Sequence, residues 1–165
     1  MKVNVEIACD DDSWNKHTEI NPKTIAKVVL EILGRYPNLS VIKKVELSIL
    51  LTNNERMKQL NNDFRGQDKA TNVLSFQDMD INWCNILDFK PEINYTYLGD
   101  IAFGYDIISL EAKDKGWTFY NYFTHLLVHG IMHLIGYDHL HDAEAEVMEQ
   151  VEIAILKKFN IISPY

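Results

Sequence analysis

The stretch His129-Gly130-Ile131-Met132-His133-Leu134-Ile135-Gly136-Tyr137-Asp138-His139 decides how this chain is read, because it places three imidazoles at spacings of four and six. On an α-helix, residues four apart lie one turn up the same face, so His129 and His133 can aim ring nitrogens at a single ion about 2 Å from each. Were the helix to continue, His139 would fall about 600° beyond His133 and face elsewhere. Gly136 changes that. A glycine three residues after His133 can take the left-handed conformation that ends a helix, so that the chain doubles back and His139 approaches from another direction. Three protein ligands leave one coordination position open, the arrangement of catalytic zinc, whereas structural zinc is usually closed by four ligands, mostly cysteines. The expectation is one zinc ion per chain on His129, His133 and His139, at the end of a central histidine-bearing helix. An isolated His-x-x-x-His pair is more often two half-buried histidines; the third histidine beyond a helix-ending glycine moves the reading to a metal.

Neighbouring polar residues carry more than one reading. His125 extends the series back by one turn, but it lies about 12 Å along the helix axis from His133, too far for one ion to reach both. It either contacts substrate, orients a ligand, or is a polar residue at the pocket floor. Asp138 either accepts a proton from the far nitrogen of a coordinating ring or caps the following turn. His141 can approach the same ion, and is read as a solvated residue ahead of a helix capped at Asp142.

At 165 residues and 47% hydrophobic content, the chain is expected to form one compact domain over residues 1–165. The start, Met1-Lys2-Val3-Asn4-Val5-Glu6-Ile7-Ala8, has no apolar run of signal-peptide length, and no later segment approaches the roughly eighteen apolar residues that span a membrane. Cys9 and Cys84 are far apart and form no Cys-x-x-Cys pair, which argues against a disulfide framework or a cysteine zinc knuckle and fits a reducing cytoplasm. A formal charge of -8 argues against broad adhesion to nucleic acid, so any such contact is local.

Outward from the histidines, hydrophobic spacing sets the elements. Val3, Val5 and Ile7 alternate as in a half-buried strand. Asn21 and Pro22 cap and open a helix to about Gly34 with Ile25, Val28, Val29 and Ile32 on its face. Val45, Leu47, Ile49 and Leu51 make a second strand, and Thr52 with Glu55 reads as a capping box for a helix to about Phe64. Asn72 to Phe76 reads as a third strand and Leu98 to Phe103 as a fourth. Gln77 to Tyr97 has no clear period and is read as a long loop or hairpin insertion. Helices are expected from Tyr105 to about Lys115, from about Thr118 to Ile135, and from Asp142 to Phe159. Strands and helices that do not alternate strictly imply an α+β fold, a mixed four-stranded sheet packed with about five helices.

With these residues placed, the chain resembles the YbeY family of metal-dependent endoribonucleases. The resemblance spans most of the chain and rests on Leu60-Asn61-Asn62-Asp63-Phe64-Arg65-Gly66-Gln67-Asp68-Lys69-Ala70-Thr71-Asn72-Val73-Leu74-Ser75-Phe76, on Leu98-Gly99-Asp100-Ile101, and on His129-Gly130-x-x-His133-Leu134-x-Gly136-Tyr137-Asp138-His139. It implies zinc on the three histidines, a catalytic or RNA-binding role for Arg65, and a mixed sheet surrounded by helices. It also implies action on ribosomal RNA, including maturation of the small-subunit 3′ end, and a part in ribosome quality control. Glu146 to Glu152 looks like the family's closing helix. Two departures stand out: Gln77–Tyr97 is longer and less regular than expected, and Asn72 stands where many relatives have aspartate.

Zinc with three imidazoles acidifies water and polarises a phosphoryl oxygen, and either role suits phosphodiester cleavage by water or by the RNA's own 2′-hydroxyl. Imidazole also suits nickel, copper and iron. A guanidinium can pair with two non-bridging oxygens at once, which makes Arg65 the candidate for substrate charge; the plain reading is a surface arginine bonding carbonyls near a helix end. Lys69 either adds local positive charge for RNA or is a solvated lysine. Ser75 either donates to phosphate or is a serine tolerated in a strand. Asp100 either lies near the site or is a solvent-facing strand carboxylate. One rival is a zinc peptidase, but the position after the first histidine, where such enzymes carry a glutamate base, is Gly130. Another is a ribosome-associated binding factor with a structural metal, which a fourth ligand at His125, His141 or Asp138 would favour.

Overall fold

In a computed structural model that describes residues 1–162, 164 and 165, the alternation at Val45, Leu47, Ile49 and Leu51 becomes β2 (Lys44–Thr52), the strand on which the sheet is built. It pairs in parallel with β1 (Lys2–Cys9) on one side and with β4 (Thr96–Gly104) on the other, and β3 (Val73–Gln77) closes the far edge antiparallel to β4. The order is β1-β2-β4-β3, a mixed four-stranded sheet as expected. Between β1 and β2 run α1 (Pro22–Leu33) and the four-residue α2 (Pro37–Ser40). Asn21 caps α1 by accepting from Lys23 N and Thr24 N, and Pro22 occupies the first turn, where its missing N–H costs nothing. After β2 comes α3 (Asn54–Arg65), and α4 (Tyr105–Asp114), α5 (Phe119–Leu134) and α6 (Asp142–Lys158) follow β4. Short 3-10 turns cover Asp12–Lys16 and Trp83–Asn85.

One face of the sheet carries the main core. Val45, Leu47, Ile49, Leu98, Ile101 and Phe103 are buried there with Ile25, Val28, Val29 and Ile32 of α1 and Phe123, Leu127 and Ile131 of α5. α5 is apolar nearly all round because it is covered on several sides, by the sheet, α1, α4 and α6. At Gly130 it approaches the sheet closely: a Cβ there would meet Ile101 carbons and Ser75 Oγ at 3.1 Å. On the opposite face a smaller cluster of Met57, Leu74 and Ala102, with Leu50, Leu60 and Phe76, seats α3.

Three boundaries differ from the sequence reading. Thr52 does not cap α3; it remains in β2, buried and paired with Gly104, and its carbonyl accepts from Trp14 Nε1 at 2.9 Å. Asn53 takes the cap, accepting from Arg56 N at 3.1 Å, while Glu55 sits in the first turn, where its charge suits the helix dipole. β3 begins at Val73, one residue later, with the Asn72 side-chain oxygen accepting from the Val73 N–H at 2.7 Å. The cap position of α6 is His141 rather than Asp142, and Asp142 opens the helix.

The stretch between β3 and β4 is aperiodic, yet it is packed. Met79, Ile81 and Ile86 are buried, Asn38 of α2 donates to the carbonyls of Ile86 and Phe89 at 2.6 and 2.8 Å, and Lys43 N donates to Ile93 O at 2.7 Å. Its contacts are with distant parts of the chain, so no local period records them.

Candidate metal centre

α5 starts at a Thr118 cap that accepts from Asn121 N and runs until Leu134, carrying His129 and His133 on one face. Its end is a Schellman turn: Tyr137 N donates to Met132 O and Gly136 N to His133 O, both at 3.0 Å, with Gly136 at φ 94. No other residue suits this place. A Cβ on Gly136 would lie 2.5 Å from the Ile81 carbonyl oxygen, and Trp83 N donates to Gly136 O at 3.0 Å while its ring stacks on Tyr137. The segment after β3 thus backs the turn that redirects the chain.

Beyond that turn His139 comes round to its partners. Its ring centroid is 5.5 Å from that of His129 and 5.0 Å from that of His133, and one nitrogen of each of the three rings lies within 4.8 Å of the others. His129 and His133 are half-buried and His139 is exposed.

Hydrogen-bond partners fix two of the rings. His133 Nδ1 is 2.9 Å from the Tyr137 carbonyl, which can only accept, so Nδ1 carries the proton. His129 Nδ1 is 2.7 Å from Glu152 Oε1, and an ionised carboxylate likewise only accepts. In the neutral form that ligation requires, both rings then present an acceptor Nε2, and these atoms face each other at 3.0 Å. Two lone pairs that close repel unless a cation lies between them. Ligand bonds of about 2.0–2.1 Å at tetrahedral angles would set nitrogens about 3.4 Å apart, and the observed pair at 3.0 Å and outer limit of 4.8 Å bracket that spacing. The donor set therefore fits a divalent ion on His129, His133 and His139. Burial, reinforced by His129 and His139 nearby, pushes the His133 pKa down to about 4, which keeps the ring in its neutral, ligating form at neutral pH.

Glu152 was not singled out from the sequence. It lies on α6 with 0% exposure, and besides His129 it accepts a hydrogen bond from Tyr165 Oη on Oε2. Burial alone would raise its pKa, but the hydrogen bond and charge of His129, with Tyr165 and His125, outweigh that and hold it below the usual value. A signal existed: Glu152 falls on the stripe of Met148, Ile155 and Leu156, the buried residues of α6, where a carboxylate is costly unless it is bonded.

The other candidates are scattered. His125 is nearly enclosed, its Nε2 3.9 Å from Glu152 Oε2 and its ring beside Trp117, Tyr122 and Tyr165. Asp138 does not orient a ligand ring; its Oδ1 accepts from the His139 backbone N–H at 2.7 Å. Arg65, exposed at the end of α3, donates through Nη2 to the Ser75 carbonyl at 2.9 Å. Ser75 Oγ in turn donates to the Gly130 carbonyl at 3.1 Å, so its proton is engaged by α5 rather than turned outward to phosphate. Arg65, Ser75 and Gly130 link α3 through β3 to the turn bearing His129. Lys69 is exposed, with its carbonyl held by Asn61 Nδ2 at 2.9 Å. Asp100 lies on the other face of the sheet, bonded to Tyr97 Oη and lining a groove of about 410 Å³ with Leu50, Phe64 and Phe76. His141 is exposed, and among the described residues the cluster able to hold an ion comprises only the three histidines. Asn72 donates to Glu111 Oε2 at 2.9 Å, where Tyr122 Oη also donates; an aspartate there would meet Glu111 with like charge.

A cavity of about 90 Å³ opens beside the centre, lined by His129, His139, Ala145, Met148, Glu149, Glu152 and Tyr165. Gly130 stands where a zinc peptidase carries its glutamate base, and a Cβ there would fit only tightly, 3.1 Å from Ile101 and Ser75.

Comparison with known proteins identifies the family and the fold. Residues 11–160 match the family model described as Endoribonuclease YbeY. A relative from Chelativorans sp. (strain BNC1), named Endoribonuclease YbeY, is 45% identical over 122 residues, covering 74% of this chain and 71% of its own. The solution structure of TM1509 from Thermotoga maritima superposes with a TM-score of 0.54 at 22% identity, covering 95% of this chain and 92% of that one, which supports the fold.

Proposed function

The chain belongs to the endoribonuclease YbeY family, and from that premise we propose that it is a single-domain, zinc-dependent, single-strand-selective endoribonuclease. Its place is rRNA maturation in the cytoplasm, including the small-subunit 3′ end and ribosome quality control. The observation that carries the reading is the convergence of the Nε2 atoms of His129 and His133, 3.0 Å apart, with a third imidazole beside them. None of the described helices is long and apolar enough to cross a membrane.

In this reading His129, His133 and His139 hold one zinc ion, which when bound supplies Lewis acidity toward a phosphoryl oxygen. The protein's own part is preorganisation. Glu152 and the Tyr137 carbonyl hold two rings by their Nδ1 protons, so both Nε2 lone pairs point inward before any ligand arrives. Arg65 keeps one N–H on the Ser75 carbonyl and offers its remaining donors to a non-bridging phosphate oxygen, where charge gathers in the transition state. Lys69 adds exposed positive charge nearby in sequence. The net charge of -8 discourages broad adhesion to nucleic acid, so the contact with RNA is local.

The test is incubation with unstructured RNA and, separately, with casein, with and without a chelator, using wild type and His133→Ala. RNA cleavage that stops on chelation and is absent in the variant is expected, with casein intact. Casein cleavage, or RNA cleavage that His133→Ala retains, would overturn the reading.

A further inference from the structure

Glu152 is the least explained charge in the molecule. It is completely buried, on the apolar stripe of α6, and burying a carboxylate costs several kcal/mol on the order of magnitude unless it is paired. Its ionic neighbours among the described residues are two histidines, His129 at 2.7 Å and His125 at 3.9 Å, with no lysine or arginine. Tyr165 supplies one neutral hydrogen bond. Two imidazoles and a phenol hold the buried anion, and the imidazole bonded to it at 2.7 Å is that of the ligand His129. A cation on the far nitrogen of His129 would strengthen that bond, because polarisation of the ring makes its Nδ1–H a better donor to the carboxylate.

We infer that Glu152 is a positioning residue of the metal centre: it fixes His129 with Nδ1 protonated, aims Nε2 at the ion and supplies the buried negative charge that three neutral imidazoles lack. This rests on the metal reading above. The three ligands are then unequal. His129 is backed by a carboxylate, His133 by a carbonyl, and His139, exposed on the loop, by neither among the hydrogen bonds of the described residues. The carboxylate reaches His129 from α6, so the closing helix takes part in the centre without contributing a ligand.

The experiment compares zinc affinity of wild type, Glu152→Gln and Glu149→Gln by competition with a chromophoric chelator. Unfolding of each protein without metal is followed in parallel. Glutamine keeps the size of the side chain and removes the charge. The expected result is zinc binding weakened roughly 10–100-fold in Glu152→Gln. Glu149, which lines the same cavity without bonding His129, serves as the charge control and should change affinity by less than about threefold, the scale of a partly exposed charge. Equal affinity in wild type and Glu152→Gln overturns the inference and leaves the metal reading standing. Equal losses in both variants overturn it too, since the effect would then be net charge. A wild type that takes up no zinc removes the metal reading and this inference together. Should Glu152→Gln not fold, nitrogen NMR of the zinc-loaded wild-type ring decides: a proton on His129 Nδ1 is expected, and one on Nε2 contradicts the inference.

Discussion

The two halves of the metal centre are built differently. His129 and His133 belong to a sixteen-residue helix packed on several sides, and each has its Nδ1 tied to a fixed acceptor. His139 stands on the loop beyond the turn, exposed, with only its backbone N–H held by Asp138. One half is set by packing and the other by a turn. The lesson is that the helix pair is set by packing and by its Nδ1 partners, while the third ligand depends on Gly136 to reach it.

The largest effect expected from this contrast is on removal of a helical ligand. His133→Ala should lower zinc affinity by more than about 100-fold, beyond the range of an outer hydrogen-bonding partner, and abolish RNA cleavage; calorimetric titration and a gel assay check both. His139→Ala should cost less, leaving measurable binding by the preset pair. Equal losses in the two variants would erase the distinction between the halves.

Gly136→Ala tests the turn itself. A residue at φ 94 with its Cβ 2.5 Å from the Ile81 oxygen is strained twice over, and a loss of about 1–3 kcal/mol in urea-unfolding free energy is expected, together with weakened zinc binding. Unchanged stability would mean that the turn is not as tightly backed by Ile81 and Trp83 as their contacts imply.

The smallest effect concerns His125, behind the helical half. Burial lowers its pKa from the ordinary 6.5 to about 4. The unfolded chain therefore binds the proton first as pH falls. The stability this neutral ring contributes is full above about pH 6.5 and is lost progressively toward pH 4. Metal-free wild type should destabilise more steeply over that window than His125→Phe, measured by denaturant titration at several pH values. Parallel profiles would show that His125 is not held neutral by the fold.

The same contrast explains what the sequence disclosed. The spacing of His129 and His133, the glycine three residues on, and the alternation of β2 are local signals, and all were legible because helix period, strand period and a left-handed cap act over a few residues. Glu152 was not, since its meaning depends on α6 lying across α5, a contact between residues 23 apart in the chain. The segment after β3 was opaque for a similar reason: Trp83 and Ile81 act on Gly136, and Ile86 and Phe89 on Asn38, none of them sequence neighbours. Thr52 and Asn53 are both good cap residues, and only the extra pairing of Thr52 with Gly104 decided between them. For Ser75, the strand was foreseen but not the Gly130 carbonyl that takes its proton.

The most direct test of the account is the stoichiometry of zinc uptake by metal-free protein, measured by calorimetric titration of wild type beside His129→Ala. One ion per wild-type chain, with the variant binding far more weakly, is the result predicted. No uptake by wild type, or the same uptake by both proteins, would contradict the claim that the imidazoles of His129, His133 and His139 share a cation.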